Sequence, residues 1–216
     1  MKNAPRTVRT STLCSLLLAC LLLNGCAYNF YKENAIVGPR IDAPPPGKTL
    51  VNFHKPSGGQ FTVPVFKDNG DLVGALSGSC EFQYVCEPGE HAFIGFGDTP
   101  LQFKGWINEG GDVVGSIAVL KATVDADKIY DVVVDASIGW TMPAIYFSPV
   151  AKGSERRAEV PKYERREKSV TSGLQKTPNF DKYHQKQQSR IVGIKSDFLG
   201  GSKSDKVRYL NREDSR

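Results

Sequence analysis

VPVFKDNGDLVGAL, Val63–Leu76, is the stretch that decides the fold. Asn69-Gly70 sits between two apolar runs, and Asn-Gly is the strongest short-range hairpin signal because both central residues of the turn need a positive φ. Upstream, Gln60–Lys67 places Phe61, Val63 and Val65 on one face of a strand. Pro64 interrupts that strand's donors and implies an edge or a bulge. Downstream, Asp71–Leu76 returns. A hairpin of this kind needs further strands to bury its apolar face.

Working outward, the flanking segments supply them. KTLVNFH (Lys48–His54) alternates, with Val51 and Phe53 on one side and Asn52 and His54 on the other. CEFQYVC (Cys80–Cys86) puts Phe82 and Tyr84 on one side. EPGE (Glu87–Glu90) turns into HAFIGF (His91–Phe96). Asp112–Val124, Ile129–Ala136 and Ala144–Val150 complete the series, with DADK as a turn between the first two. Period-two alternation punctuated by Gly, Pro, Asn and Asp indicates a mainly β protein. The expected architecture is a single antiparallel β-sandwich over residues 48–150, of immunoglobulin-like layering.

The charge distribution separates this body from the C-terminal residues. Gly47–Val150 holds 6 Lys against 12 acids, a net −6, whereas Ala151–Arg216 holds 17 basic and 9 acidic residues, a net +8. Residues 151–216 therefore read as a basic extension. SERRAEVPKYERREK is charged, poor in apolar residues and broken by Pro161, which reads as a solvated, partly disordered linker. Further on, Phe180, Tyr183, Ile191, Ile194 and Phe198 recur at loosely helical spacing. A short helix is expected over about 179–199, with Asn179 as its N-cap and Gly200-Gly201 as its stop.

The N-terminus carries Lys2, Arg6 and Arg9 with no acid, then an apolar run Leu13–Leu23, then Gly25 and Cys26. This is the order of a secretory signal. The run is shorter than the roughly 20 apolar residues that a spanning helix needs. Leu23-Asn24-Gly25-Cys26 resembles the lipobox of bacterial lipoproteins, although that family favours Ser or Ala where Asn24 stands. The resemblance implies a signal peptide over 1–25, cleavage between Gly25 and Cys26, and a diacylglycerol on the Cys26 thiol. It implies a bacterial cell-envelope protein held by lipid. Ala27, where an Asp would resemble an inner-membrane retention signal, favours the outer membrane. Residues 26–47, with Pro44-Pro45-Pro46, then read as a lipidated N-terminus and extended tether.

KTLVNFHKPSGG, VPVFKDNGDLVGAL, EPGEHAF and KATVDADKIYDVVV together resemble the PEGA-like β-sandwich found in small bacterial lipoproteins. The resemblance covers about 48–150. It implies a fold and packing plan, in which Pro-Gly-x-His is a structural turn. This chain has Asp127 where a Gly is usual, and Asp131 where a second Tyr is usual.

Candidate chemistry is sparse. Cys80 and Cys86 are the thiols that outlast leader removal and acylation. Six residues of straight strand span about 20 Å, and a disulfide wants Cα atoms within about 7 Å. A bridge therefore demands a bend inside EFQYV; buried free thiols and intermolecular chemistry are the alternatives. His54, His91 and His184 are isolated in sequence and lack zinc-ligand spacing. Asp68 and Asp71 flank a turn, and Asp125, Asp127 and Asp131 cluster around another, which turn chemistry explains without calcium. Trp106, Trp140 and the Phe93–Phe103 region could line a groove, but small β cores use aromatics for packing. No nucleophile, phosphate-loop or metalloprotease motif occurs, and no cofactor is expected beyond the lipid on Cys26.

The expected role is a non-enzymatic binding or structural module of the envelope. Its partners would be the membrane through the anchor, and a periplasmic protein, peptidoglycan or lipopolysaccharide. Nucleic acid is not expected in an exported protein. An enzyme or inhibitor with a dispersed site, or a metal-binding protein, are the alternatives.

Overall fold

The computed structural model describes residues 35–56, 62–96, 117–138, 143–167, 169–175, 185, 191–201 and 203–216. Eleven strands form among them. They are β1 (Ala35–Val37), β2 (Thr49–Lys55), β3 (Thr62–Lys67), β4 (Leu72–Ser77), β5 (Cys80–Cys86), β6 (Gly89–Phe96), β7 (Ile117–Val124), β8 (Ile129–Ile138), β9 (Pro143–Pro149), β10 (Val170–Leu174) and β11 (Arg208–Leu210). Helix α1 spans Glu155–Arg166, and residues 191–199 are helical.

The strands make two sheets. One is ordered β1-β10-β5-β2-β8-β9, the other β11-β7-β6-β3-β4. The hairpin forms at Asn69-Gly70, but not as a turn with two positive φ angles: the Gly70 amide donates to the Lys67 carbonyl, which centres the turn on Asp68-Asn69, and within it Gly70 alone has a positive φ, +88°. Pro64 pairs with Ala75 on the β4 side and with no residue of β6, and a register shift between Val65 and Phe66 marks the bulge. The core between the sheets includes Val51, Phe53, Phe82, Phe93, Leu120, Val132 and Phe147. Phe53 stacks on Phe82 at 5.8 Å and meets Phe93 edge-on at 5.3 Å. Gly74 makes room for this: a Cβ there would lie 2.3 Å from the Phe82 ring.

Three features differ from the sequence expectations. The sandwich is mixed rather than wholly antiparallel, because β2–β8, β5–β10 and β7–β11 pair in parallel. Two of those parallel partners, β10 and β11, come from the extension. The linker assigned to the charged segment is instead helix α1. Ser154 caps it by accepting from the Arg157 amide, and Glu155 and Arg165-Arg166 complement its dipole. An interior Pro costs about 3 kcal/mol of helix propensity, so Pro161 makes the helix depend on tertiary contacts. Finally, the tether is shorter than 26–47, because Ala35–Val37 pairs with β10 and Gly38 donates to the Val170 carbonyl.

Both outer faces are covered. Ile191, Ile194 and Phe198 pack with Phe66, Ile94, Phe96 and Val119 on the outside of the second sheet, as their helical spacing implied. On the first sheet, Val160 and Tyr163 of α1 cover Val133 and Val150. All seven residues of β2 are consequently buried.

Candidate functional site

Strand register sets up a polar layer beneath α1. Gln83, Asn52 and Asp131 align across β5, β2 and β8, and Glu81, His54 and Val133 form the next row. The side chains of His54, Asp131 and Glu81 are wholly buried. A row of charge in that position must be paired, because desolvating an unpaired ion costs several kcal/mol.

The pairing comes from three directions. His54 Nε2 lies 3.0 Å from Asp131 Oδ1, and Nδ1 lies 3.2 Å from both Glu167 carboxylate oxygens. Arg157 of α1 donates to Asp131 Oδ2 at 2.6 Å and to the Val150 carbonyl at 2.6 Å, and also to the Asp214 carbonyl. Arg216 reaches Asp131 at 3.4 Å and Glu164 at 3.0 Å. From the N-terminal side, Arg40 pairs with Glu81, with Glu164 at 2.5 Å and with Glu167 at 3.7 Å. Gln83 closes the row, donating to Asn52 Oδ1 and exchanging hydrogen bonds with the Ile41 backbone.

Four carboxylates thus meet three guanidinium groups, and an imidazolium at His54 brings the layer to neutrality. Burial opposes that charge, yet the hydrogen bonds to Asp131 and Glu167 outweigh it and raise the His54 pKa from 6.5 to about 9. Burial also lifts Glu81 to about 7, against the pull of His54 and Arg40. Asp131 is held below its ordinary value: burial works against this, and His54 and Arg216 prevail. Glu81 Oε1 is buried with no hydrogen-bond partner among the described residues.

The chemistry open to this layer is limited by its saturation. Both nitrogens of His54 face carboxylates, leaving no lone pair to accept a proton from a substrate. One ligand atom each from His54, Glu81 and Glu167 lie within 4.8 Å of one another, a spacing a metal ion could use. Arg40 Nη2, however, pairs with Glu81 and lies 3.7 Å from Glu167. An entering cation would meet that guanidinium charge, so the group is an ion-pair lattice joining α1, the sheet, the 40–41 segment and Arg216.

The residues singled out in the sequence fall elsewhere or change role. Gly25, Cys26, Trp106, Trp140, Phe103 and His184 lie outside the described residues. Cys80 and Cys86 sit at opposite ends of β5 as buried free thiols, which removes the local disulfide. Burial pushes Cys80 up to about 12 and Cys86 up to about 11, away from the reactive thiolate. His91 donates to the Glu87 carbonyl at 2.7 Å, a turn role. Asp71 and Asn69 bond each other across the hairpin. Asp127, at φ +58°, accepts from the Gly47 amide at 2.7 Å. Asp131 leaves that turn cluster altogether and joins His54, which is not isolated. The missed signal was present: Asn52, His54, Glu81, Gln83 and Asp131 all fall on the outward parity of central strands, while α1 offers Arg157, Val160, Glu164 and Glu167 at helical spacing. No helix among the described residues is long and apolar enough to cross a membrane. No family model, curated protein or solved structure matches this chain.

Proposed function

We propose that this protein is a lipid-anchored bacterial cell-envelope module. It binds or braces a periplasmic protein or an envelope polymer without catalysing a reaction, and the outer membrane is its favoured site. The observation that carries this reading is the leader itself. A basic start, the apolar run Leu13–Leu23 and Gly25-Cys26 occur in the order that export and acylation require. Two or more acyl chains on Cys26 give stable anchoring where a single chain is marginal. The resemblance of residues 48–150 to PEGA-like modules supports a binding or bracing role. The polar layer supports it too, since its charged groups are committed to holding the extension in place.

Cells grown on labelled palmitate test the anchor. The expected outcome is label in the native protein and none in Cys26→Ser. Label persisting in that variant, or never entering the native protein, overturns the reading. Crosslinking of the native lipidated protein followed by mass spectrometry then identifies the neighbour.

A further inference from the structure

We infer that one side of the body, the β1 edge with the C-terminal turn of α1, rests on an anionic phospholipid headgroup surface. The inference depends on the anchor at Cys26 proposed above. Residues 27–34 separate that cysteine from β1. However they run, they span no more than about 30 Å. A domain of this length has a radius of gyration of roughly 16 Å and is therefore about 40 Å across. Even fully extended, those eight residues reach less than the width of the body that follows, so the body cannot turn its opposite side to the membrane. Docking of Ala35–Val37 and Arg40 into the fold is what shortens the tether.

The surface at that side suits a charged interface. Val37 is 66 % exposed and Ile36 41 %, both on the sheet edge. The last turn of α1 leads within four residues into β10, the partner of β1. That turn exposes Arg165 and Arg166, and Lys162 is exposed just before it. The acids nearest them, Glu164 and Glu167, are spent on Arg40. Of the exposed acids of the helix, Glu155 opens it, and Glu159 lies one turn before Lys162 and accepts from the Tyr163 hydroxyl. The N-terminal half of α1 is balanced, with Glu155 and Glu159 against Arg156 and Arg157, so the helix's net positive charge lies in its C-terminal half, on the β1 side. Each Lys or Arg close to an anionic bilayer strengthens attraction by roughly fivefold, over a range of about one Debye length. Isolated apolar side chains add contact at the headgroup level.

The test uses the full lipidated protein in vesicles of phosphatidylcholine with phosphatidylglycerol, and of phosphatidylcholine alone. Spin labels are placed at Val37→Cys and, at the opposite sheet edge, at Tyr146→Cys; intact mass reports the acyl chains. The expected result on anionic vesicles is a Val37 label shielded several-fold from a water-soluble relaxant while the Tyr146 label stays accessible. Lys162→Glu with Arg165→Glu and Arg166→Glu should abolish that difference while the protein stays on the vesicle. The corresponding Gln triple, milder for the helix, should reduce it. Equal accessibility of both labels in an acylated, vesicle-bound protein overturns the inference and leaves the anchor reading standing. So does shielding that ignores lipid charge, or that occurs only in native envelopes, where a protein partner would be the occupant. A protein without acyl chains that washes off the vesicles sinks the anchor reading, and this inference with it.

Discussion

His54 carries the charge balance of the polar layer, and its titration has a definite sign. Its pKa is raised in the folded state, from 6.5 to about 9, so its stabilisation is complete below pH 6.5 and lost as pH rises through 9. At about 1.4 kcal/mol per pKa unit, the effect is on the order of 3 kcal/mol. Glu81 acts in the same direction over a lower window. An acid raised from 4.5 to about 7 favours folding most below 4.5, and that contribution fades as pH climbs to 7. Asp131, depressed on folding, sets the opposite limit and withdraws stability as pH falls through its ordinary range. Urea melts should therefore show highest stability near pH 4.5 and a decline from there to pH 9, the part below 7 from Glu81 and the part above 6.5 from His54, and His54→Gln should flatten the decline between pH 6.5 and 9. The thiols give a second expectation. Native protein should resist iodoacetamide at Cys80 and Cys86, and both should alkylate in denaturant with no prior reduction, which intact mass would reveal. The parity of these residues was readable from alternation alone. What lay against them was not, because alternation names a face and says nothing of its cover. Asn52 and His54 therefore read only as the side opposite Val51 and Phe53, and both are interior.

Helix α1 is held less by its own propensity than by what its inward side meets. Arg157 reaches Asp131 and two backbone carbonyls in a largely buried setting, whereas Arg156 pairs with Asp135 where both side chains are more than a third exposed. Removing one partner of a buried pair strands the other, so Arg157→Ala should cost on the order of 3 kcal/mol. Arg156→Ala should cost no more than about 1 kcal/mol. Thermal melts of the two variants make the comparison. The elements of the 48–150 body were legible because a period of two needs no tertiary context, and Ile191, Ile194 and Phe198 announced the second helical segment by spacing. Helix α1 was not legible: Pro161 and a scarcity of apolar residues argue locally for a linker, and the buried ion pairs that hold it and its C-cap Glu167 come from residues 40, 54, 131 and 216. Strand β10 was hidden for the same reason. Val170–Leu174 has Ser172 and Gly173 at its centre and becomes a strand by filling the gap between β1 and β5.

At the scale of the whole molecule, the charge division at residue 150 is not a structural boundary. The basic extension supplies β10 and β11, covers both outer faces and ties down Tyr130, whose hydroxyl donates to the Arg212 carbonyl at 3.2 Å. A chain stopped after Ala151 should therefore fail to fold cooperatively, losing its sharp thermal transition and recovering poorly in soluble form; a retained transition would contradict this. The insertion of β10 has a mechanical consequence as well. Among the described residues, β1 joins the first sheet across β10, through Ala35 opposite Leu174 and Val37 opposite Thr171. A pull from the N-terminal side loads that short junction and the Arg40 contacts before it reaches any strand of the inner core. Three residues peeling away would lengthen the leash by about 10 Å and leave the body intact, a built-in slack that yields under tension and can be taken up again when the strain is gone.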